Sequence, residues 1–301
     1  MSRARLILHG KQSTNEELRA AVATVRDEGL EIDVRVTWEA GDAGLLAAEA
    51  SRSGIERVIA GGGDGTVNEV LNGLLDAGHG GAMGILPLGT ANDFARSAEI
   101  PLDLEQALRL ALTTAPTRAD VGRAGSRCFL NVATGGFGTE ITVTTDPRLK
   151  KHLGGAAYFL TGISRFASIE PTQCRFSAPN DTWEGELLVL AIGNGRQAGG
   201  GHPLCPDACI DDGLLDVAIL PVRNDIPVAE ALAALVTRGS DAIEDLMIRW
   251  RVPWVEVEAS DPVHVNLDGE PIQSNKHRFD VDPGRIGLVL PADSPLLSRA
   301  D

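Results

Sequence analysis

The residues of this chain that are best suited to chemistry form one glycine-rich run, Gly61–Asn68, with the sequence Gly-Gly-Gly-Asp-Gly-Thr-Val-Asn. The run follows a short apolar segment, 57–60, that is typical of a buried parallel strand. It leads into 67–75, where apolar side chains recur at helical spacing. Glycines let a ligand approach the main chain, and a helix start leaves N–H groups unpaired. The run therefore predicts a phosphate site between a strand and a helix.

Several residues of this run have candidate roles. An acid repels phosphate unless a cation lies between them or the acid accepts a hydrogen bond, so Asp64 is a candidate for holding Mg²⁺ near a nucleotide. The hydroxyl group of Thr66 is expected either to cap the helix or to donate to a phosphate. The run fits neither the Walker A sequence nor G-x-G-x-x-G, which argues against those two nucleotide fingerprints. A tight strand–helix turn without a ligand is the alternative.

Two threonines are expected at the same edge of the sheet as the glycine run. Thr37 ends the second predicted strand, and Thr90 lies in the turn that follows the fourth one. Open α/β sheets bind ligands at the carboxyl ends of their strands. Both residues are therefore candidates to contact a nucleotide, with strand-end or helix-capping roles as the alternative.

Two acidic turns lie in the second half of the chain. Asp268 and Glu270 stand in a turn at a strand end, where they are candidates for a general base that takes the proton of an attacking alcohol. Asp-Gly also marks ordinary polar hairpins, which is the alternative. The turn Asp211-Asp212-Gly213 offers carboxylates and backbone carbonyls, which suit a hard cation such as Mg²⁺ or Ca²⁺; a plain turn is the alternative.

A glycine-dense segment, Gly193–Gly201, carries one arginine. Such a segment is typical of a loop that borders a cleft, and Arg196 is then a candidate to bind phosphate. A flexible hairpin without a ligand is the alternative.

The pattern of elements changes near 120–127. Before it, strands and helices alternate, which predicts an α/β domain with a doubly wound parallel sheet covered on both faces, residues 1–125. After it, short strand-like runs predict an antiparallel β-sandwich domain, residues 126–290, with two helices near 156–166 and 228–238. The predicted strands are Cys128–Ala133, Thr172–Ser177, Leu187–Ile192, Leu214–Leu220, Val255–Glu258, His264–Leu267, Arg278–Val281 and Ile286–Leu290.

Charge and composition restrict the classes of partner. The formal net charge of −15 argues against broad nucleic-acid binding and against general attraction to anionic lipid. A basic cluster at 148–152 is a candidate for peripheral membrane contact, with a solvated helix face as the alternative. Four scattered cysteines do not make a disulfide scaffold. The chain shows no signal segment and no apolar run long enough to span a bilayer, so we expect a cytoplasmic protein.

Taken together, these motifs resemble the diacylglycerol-kinase catalytic-domain family, and within it the bacterial YegS-type lipid kinases. The resemblance covers nearly the full length. The glycine-Asp-Gly-Thr element alone is shared with NAD kinases and phosphofructokinases, whereas the larger set is more specific. That set comprises Val36–Glu39, Gly61–Asn68, Gly84–Phe94, Asn131–Gly138, Gly193–Gly201 and Leu267–Glu270.

The resemblance implies an ATP-dependent kinase that phosphorylates a lipid hydroxyl at a site between two domains. It implies a C-terminal tail, 291–301, that returns to the first domain. It implies a proton acceptor in the turn Asp268-Gly269-Glu270, where we favour Glu270, with Asp268 as its rival. The implied ATP contacts are Thr37, Gly63, Asp64, Gly65, Thr66, Val67, Asn68, Glu69 and Thr90. A structural divalent cation, distinct from the Mg²⁺ bound with ATP, is implied at Asp212 with the carbonyl groups of Cys209 and Leu214.

One departure bears on the substrate. Many relatives have an Asn-Pro and a Ser-Gly turn after the first strand, whereas this chain has His9-Gly10-Lys11, as in the YegS subgroup. This favours a lipid alcohol other than diacylglycerol, such as phosphatidylglycerol. A kinase for a soluble substrate such as NAD, and a nucleotide- or lipid-binding regulator without catalysis, are the alternatives.

Overall fold

The computed structural model describes residues 3–136, 171–223, 225 and 244–298. The first domain alternates strands with helices. In chain order these are β1 (Ala4–Leu8), a short 3-10 helix (Gly10–Gln12), α1 (Glu16–Asp27), β2 (Ile32–Val36), α2 (Asp42–Arg52), β3 (Arg57–Gly62), α3 (Asp64–Asp76), β4 (Ala82–Pro87), α4 (Asp93–Ser97) and α5 (Leu104–Thr113). The four strands pair in parallel in the order β2-β1-β3-β4, which confirms the predicted parallel sheet.

The helices of the first domain pack on the sheet through their apolar faces. Buried side chains of α1, α3 and α5 join the strands in one core; they include Val25, Leu71, Leu74 and Leu108. Helices α2 and α3 meet closely, and a Cβ atom on Gly73 would lie only 2.2 Å from the carbonyl oxygen of Gly44. A side chain there would push the two helices apart, so this approach requires glycine.

The part of the chain that follows α5 is built from strands that are almost all antiparallel. They are β5 (Thr117–Ala124), β6 (Arg127–Phe129), β7 (Val132–Gly136), β8 (Thr172–Ser177), β9 (Thr182–Gly193), β10 (Gln197–Ala198), β11 (His202–Pro203), β12 (Leu215–Pro221), β13 (Ile248–Val252), β14 (Trp254–Leu267) and β15 (Glu270–Leu288). The predicted fold class, a parallel α/β domain followed by an antiparallel β domain, is confirmed.

Long strands organise the second domain. Strands β9 and β14 each pair with β8 along their first halves and with β7 along their second halves. A core that includes Phe129, Phe176 and Phe279 fills the space they enclose. The last residues of β15 pair in parallel with β4, so one hydrogen-bonded sheet runs through both domains.

Two differences from the predicted strands concern length. One strand, β14, contains both predicted runs 255–258 and 264–267, and one strand, β15, takes residues from both runs 278–281 and 286–290. Each strand continues through the polar residues between its two runs, because the pairing register shifts there and the strand does not end. The predicted strand 128–133 is instead split into β6 and β7 at Leu130–Asn131.

The chain end returns to the first domain. The hydroxyl group of Ser294 donates to the carbonyl of Ala98 at 2.9 Å, and Leu296 is fully buried in the core of the first domain. The N–H of Ile210 donates to the carbonyl of Leu296, so the tail also holds a loop of the second domain.

The helices predicted near 156–166 and 228–238, and the basic cluster at 148–152, lie outside the described residues. Among the residues that the structure describes, no helix is both long and apolar enough to cross a bilayer.

Candidate active site

The carboxyl ends of the parallel strands border a cleft of about 620 Å³. The strand registers pair Leu8 with Val36 and Gly61, so the segments that follow β1, β2 and β3 lie at the same edge. Residues from each of these segments line the cleft: His9, Gly10, Lys11, Ser13, Val36, Thr37, Trp38, Glu39, Ala40, Ala43, Thr66 and Glu69. Three of the predicted nucleotide contacts, Thr37, Thr66 and Glu69, are therefore brought together here.

The glycine loop is pressed against the turn after β4. A Cβ atom on Gly89 would lie 2.4 Å from the Cα atom of Gly63, which no real side chain tolerates. Asn92 holds the turn, because its Oδ1 atom accepts the N–H of Gly89 and its Nδ2 atom donates to the carbonyl of the same residue, at 2.8 and 2.9 Å. The exposed Thr90 follows at once, so the structure places it beside the glycine loop.

The first turn of α3 has the features of an anion site. Among the described residues, no side chain caps α3 at Gly63. A Cβ atom on Gly65 would meet nothing within 4 Å, so the loop is open there. Open N–H groups at a helix start together with space above them fit a phosphate group.

The two oxygen atoms of Asp64 accept the N–H groups of Asp93 and Phe94, each at 3.2 Å. Of the two arrangements that the sequence left for this acid, a hydrogen bond and a cation, the structure shows the hydrogen bonds. Burial, together with the charge of Asp93, raises the pKa of Asp64 above its usual value, although the N–H groups of Phe94, Asp93 and Asp64 itself lower it. Asp64 thus caps α4 and ties it to the glycine loop.

Two predicted ATP contacts shape the cleft through the main chain. The Oε2 atom of Glu69 accepts the N–H groups of Gly41 and Ala43, at 3.1 and 3.3 Å, and so caps the start of α2. The hydroxyl oxygen of Thr37 accepts the N–H of Gly10 at 3.1 Å. These bonds join the segments after β1 and β2 to α3.

Asp268 connects the two domains. Its carboxylate accepts the N–H groups of Leu130, Asn131 and Val132, at 2.6, 3.1 and 3.0 Å, and the amide of Asn68 on α3 at 3.3 Å. These bonds explain why the predicted strand 128–133 is broken: the N–H groups at the break point to Asp268. Burial raises the pKa of Asp268 to about 6, although the four donors lower it.

The hairpin turn itself is a tight two-residue loop. Leu267 pairs with Glu270, and the residues between them, Asp268 and Gly269, have φ angles of +49° and +107°. Positive φ at both positions is what a type I′ turn requires. The polar hairpin that the sequence offered as the alternative is therefore present, and it also carries the candidate base.

Glu270 is placed differently from Asp268. Its side chain is 43% exposed, and its Oε2 atom lies 3.8 Å from the Nη1 atom of Arg127. A contact of this length between exposed groups is weak. Of the two acids in the turn, Glu270 is the one whose oxygen atoms can be reached by a substrate.

Asn68 and Asn72 on α3 complete the junction; Asn68 was predicted as an ATP contact, and Asn72 was missed by the sequence reasoning. The Nδ2 atom of Asn68 also donates to the carbonyl of Cys128 at 3.0 Å, and Asn72 accepts the N–H of Cys128 at 2.9 Å. Helix α3 therefore holds the edge of β6 with two side chains. Asparagines four residues apart on a helix with an apolar face were the available signal.

Asp93 was missed as well. Its buried carboxylate accepts the N–H groups of Gly200 and Gly201, at 3.0 and 2.6 Å, and so fastens the glycine-dense loop to the first domain. Arg196 in the same loop donates to the carbonyls of Ala208 and Pro295, at 2.8 and 2.5 Å. The interpretation of Arg196 as a phosphate ligand therefore gives way to a structural role between loop and tail.

The acidic turn at Asp212 lies beside Arg251. One oxygen atom of Asp212 accepts the N–H of Leu214 at 2.9 Å, and the other pairs with the guanidinium group of Arg251. The Oδ2 atom of the neighbouring Asp216 is buried and accepts no hydrogen bond, but it lies 3.5 Å from the Nε atom of Arg251, which therefore pairs with both acids. Burial raises the pKa of Asp216 to about 6.

Across the described ranges, no cluster of three or more His, Cys, Asp or Glu side chains could hold a metal ion. The predicted cation set has one side chain, Asp212, with the carbonyls of Cys209 and Leu214. An all-oxygen set of this kind suits Mg²⁺ or Ca²⁺. The Oδ2 atom of Asp216 close by pairs with Arg251, so this region already holds one positive charge.

Both halves of the chain match known families. Residues 3–124 match the model of the diacylglycerol kinase catalytic domain, and residues 132–290 match that of the YegS C-terminal NAD kinase beta sandwich-like domain. A Pseudomonas aeruginosa (strain UCBPP-PA14) protein named "Probable lipid kinase YegS-like" is 54% identical over 292 residues, 97% of this chain and 95% of the relative. A protein of the same name from Pseudomonas savastanoi pv. phaseolicola is 50% identical over 298 residues, 99% of this chain and 96% of the relative.

A solved structure shows the same fold. It is that of a Bacillus anthracis protein described as a "putative diacylglycerol kinase", which superposes with a TM-score of 0.80. The superposition covers 97% of this chain and 96% of that one, at 24% sequence identity. The arrangement of the two domains is therefore shared with that protein.

Proposed function

The chain belongs to the diacylglycerol kinase catalytic-domain family, with a YegS-type C-terminal domain, and is a kinase; we propose that it transfers the γ-phosphate of ATP to the hydroxyl group of a lipid. The names of the relatives, lipid kinase and diacylglycerol kinase, support a lipid acceptor. The segment His9-Gly10-Lys11 favours phosphatidylglycerol over diacylglycerol. Substrate in a membrane would be reached by peripheral contact.

The nucleotide would lie along the edge of the parallel sheet. The open N–H groups at the start of α3 would hold its phosphates, with the segment Gly63–Glu69 around them and Thr90 across the loop. Thr37 would contact the part of the nucleotide that lies farther along the cleft. Bound ATP with Mg²⁺ supplies the phosphoryl group and neutralises the charge that develops on it.

Asp64 would act on this cation indirectly. Its two oxygen atoms already accept the N–H groups of α4, so a water molecule between Asp64 and the cation fits better than a direct bond. Its main contribution would be to fix the distance between the glycine loop and the turn that carries Thr90.

Glu270 would be the proton acceptor. Its exposed carboxylate can approach an alcohol, whereas the oxygen atoms of Asp268 face four N–H donors. As the alcohol oxygen bonds to the γ-phosphorus and the bond to ADP breaks, the alcohol proton would pass to Glu270. Asp268 would position the turn that carries this base.

One observation carries the proposal: Asp268 bonds to Asn68, the fifth residue of α3. This bond brings the turn with the candidate base to the helix whose first N–H groups would hold the phosphates. A proton acceptor and a phosphate site on separate domains then border the same space, which catalysis by positioning requires.

The cation at Asp212 would be structural. Asp212 with the carbonyls of Cys209 and Leu214 would hold Mg²⁺ or Ca²⁺, and Arg251 would have to release Asp212. Asp120 accepts the N–H groups of Gly213 and Gly284, at 2.7 and 2.6 Å, so this turn is attached to β15. A cation there would stiffen the connection between β12 and β15.

The test is transfer of labelled γ-phosphate from ATP to micelles of phosphatidylglycerol or diacylglycerol, with NAD as a soluble acceptor, with Mg²⁺ and then with a chelator. Label in one lipid class that is lost on chelation supports the proposal and identifies the head group. Label in NAD alone would replace it by a soluble-substrate kinase. ATP binding without label in any acceptor would indicate a regulator.

A further inference from the structure

Trp38 has an exposure that the fold does not explain. Its side chain is 96% exposed, the highest value among the exposed large apolar residues that the structure describes. It contributes nothing to the core. Val36, 47% exposed, lines the same cleft as Trp38, and an exposed apolar patch rimmed by polar residues is typical of a ligand-binding groove.

The main chain around Trp38 is nevertheless held firmly. The Oδ2 atom of Asp42 accepts the N–H groups of Trp38 and Glu39, at 2.7 and 3.0 Å. These bonds keep the pKa of Asp42 below its usual value. On the far side of this loop, Glu69 accepts the N–H of Gly41. An exposed indole on a fixed backbone is already in place for a ligand, which lowers the entropy lost on binding.

The position of Trp38 in the cleft indicates which part of a nucleotide it would meet. Phosphates bound at the start of α3 lie at the end of β3, whereas Trp38 follows β2. In the order β2-β1-β3, these ends are two strand spacings apart, about 9–10 Å. An extended nucleoside triphosphate covers that span, with its base at the β2 end.

We propose that Trp38 is the platform on which the base of the nucleotide stacks, and so a specificity-determining residue of the cleft. This inference rests on the proposed binding of ATP in the same cleft. Stacking uses the face of the base, which every base has, so Trp38 selects for ring area rather than for one hydrogen-bonding pattern. ATP and GTP are therefore both bound, and CTP and UTP are bound more weakly.

A lipid surface is the competing partner for an exposed tryptophan, and the surroundings argue against it. Two acids, Glu39 and Glu69, line the cleft together with one lysine, Lys11. Asp42 stands beside Trp38, and the chain carries a net charge of −15. These charges repel an anionic bilayer. A second apolar residue, Leu45 on α2, is 71% exposed. A membrane would contact Leu45 as well as Trp38, whereas a stacked base would contact Trp38 alone, so Leu45 distinguishes the two partners.

Intrinsic fluorescence provides a direct measurement, because the chain has four tryptophans and the other three, Trp183, Trp250 and Trp254, belong to the second domain. Titration with ATP is expected to quench part of the emission of the wild-type protein. The quenching is expected to vanish in Trp38→Phe, whose ring still stacks, while nucleotide binding measured by calorimetry persists.

Kinetics test the same point. Trp38→Ala is expected to raise KM for ATP about fivefold to a hundredfold, more than it lowers kcat. Trp38→Phe retains most of the affinity, and Leu45→Ala has the wild-type KM. An unchanged KM for ATP in Trp38→Ala, in a wild-type protein that uses ATP, would overturn this inference and leave the proposed function intact.

Vesicles of phosphatidylglycerol and phosphatidylcholine separate the remaining outcomes. If Trp38→Ala and Leu45→Ala both lose sedimentation with these vesicles while KM for ATP stays the same, Trp38 is a membrane contact and the base platform is wrong. If the wild-type protein neither binds ATP nor transfers phosphate, the proposed function fails, and this inference fails with it.

Discussion

The two acidic turns of the second domain look alike in the sequence but differ in the structure. Each has carboxylates beside a glycine in a turn that precedes a strand. In the turn at Asp268, the donors to the acid are three main-chain N–H groups and a neutral amide. In the turn at Asp212, one donor is a main-chain N–H and the other is the charged side chain of Arg251.

The kind of donor decides whether a carboxylate keeps its partner or can exchange it. Main-chain donors belong to the fold and cannot leave, so Asp268 is committed to holding its turn against α3. A guanidinium group on a long side chain can move away, and Arg251 is about half exposed, so Asp212 can exchange it for a cation. Glu270, whose side chain has a single weak partner within the described part of the chain, is the acid of the first turn that remains available for chemistry.

The largest effect is expected for Glu270→Gln. The amide keeps the size of the side chain but cannot accept the proton of the alcohol, so kcat should fall about 10²- to 10⁴-fold, while calorimetric binding of ATP is unchanged. The measurement is phosphate transfer to lipid micelles at saturating ATP.

Glu258→Gln is the matched control, because Glu258 lies on the same hairpin and pairs with the exposed Lys276 at 2.8 Å. It should retain wild-type turnover. Wild-type turnover in Glu270→Gln would mean that Glu270 is not the proton acceptor, and the proposed difference in function between Glu270 and Asp268 would be wrong.

The next effect concerns Asp268→Asn. The new amide group faces N–H donors, so the turn should shift and kcat should fall about 10- to 100-fold by misplacement of Glu270. The pH dependence of kcat distinguishes the roles: ionisation of the base should remain visible in Asp268→Asn and disappear in Glu270→Gln. Loss of that ionisation in Asp268→Asn alone would make Asp268 the base.

The sequence predicted the elements of this region better than their connections. The glycine run and the Asp-Gly hairpin follow local rules of backbone geometry, so Gly61–Asn68 and the turn at 268–270 were recognised as candidate sites. The bonds of Asp268 to Asn68 and to Leu130–Val132 span 136 to 200 residues, and no local pattern encodes them. The break of the strand at Leu130 could not be predicted for the same reason.

The same limit applies to charged partners. Asp212 was recognised as a candidate ligand from its turn. Its partner Arg251 lies 39 residues away in the chain, on β13, and the pairing of β13 with β12 brings it to the turn. Asp64 could be assigned two roles from the sequence, and only the position of α4 shows which of them its oxygen atoms fulfil.

If a cation replaces Arg251 at Asp212, the folded protein should become moderately more stable. Saturating Mg²⁺ or Ca²⁺, at about 100 times Kd, should stabilise the wild-type protein by about 2.7 kcal/mol, and Asp212→Asn should lose this gain. Arg251→Gln should bind the cation more tightly, because the competing guanidinium group is gone. Thermal unfolding and calorimetry with each cation measure both effects.

Asp225→Asn is the control, since Asp225 forms a surface pair with Arg223 at 2.8 Å. It should respond to the cations as the wild-type protein does. Equal stabilisation of Asp212→Asn and the wild type would show that Asp212 holds no cation, and Arg251 would then be as fixed a partner as the donors of Asp268.

The smallest effect is the pH dependence of stability at Asp268. Its pKa is raised to about 6 in the folded protein, from about 3.9 in the unfolded chain, so its contribution is complete below about pH 4 and is lost as the pH rises through 6. The free energy of unfolding of the wild type, relative to Asp268→Asn, should therefore fall by about 1 kcal/mol over this range, a figure reduced for the partial exposure of the residue.

Urea unfolding of both proteins between pH 4 and 7 measures this difference, and the contribution of Asp216, whose pKa is also raised to about 6, cancels because both proteins contain it. A constant difference would mean that the four N–H donors outweigh burial and keep Asp268 ionised throughout. Asp268 would then stabilise the junction as an ordinary carboxylate. The contrast with Asp212 would then rest on the identity of the donors alone.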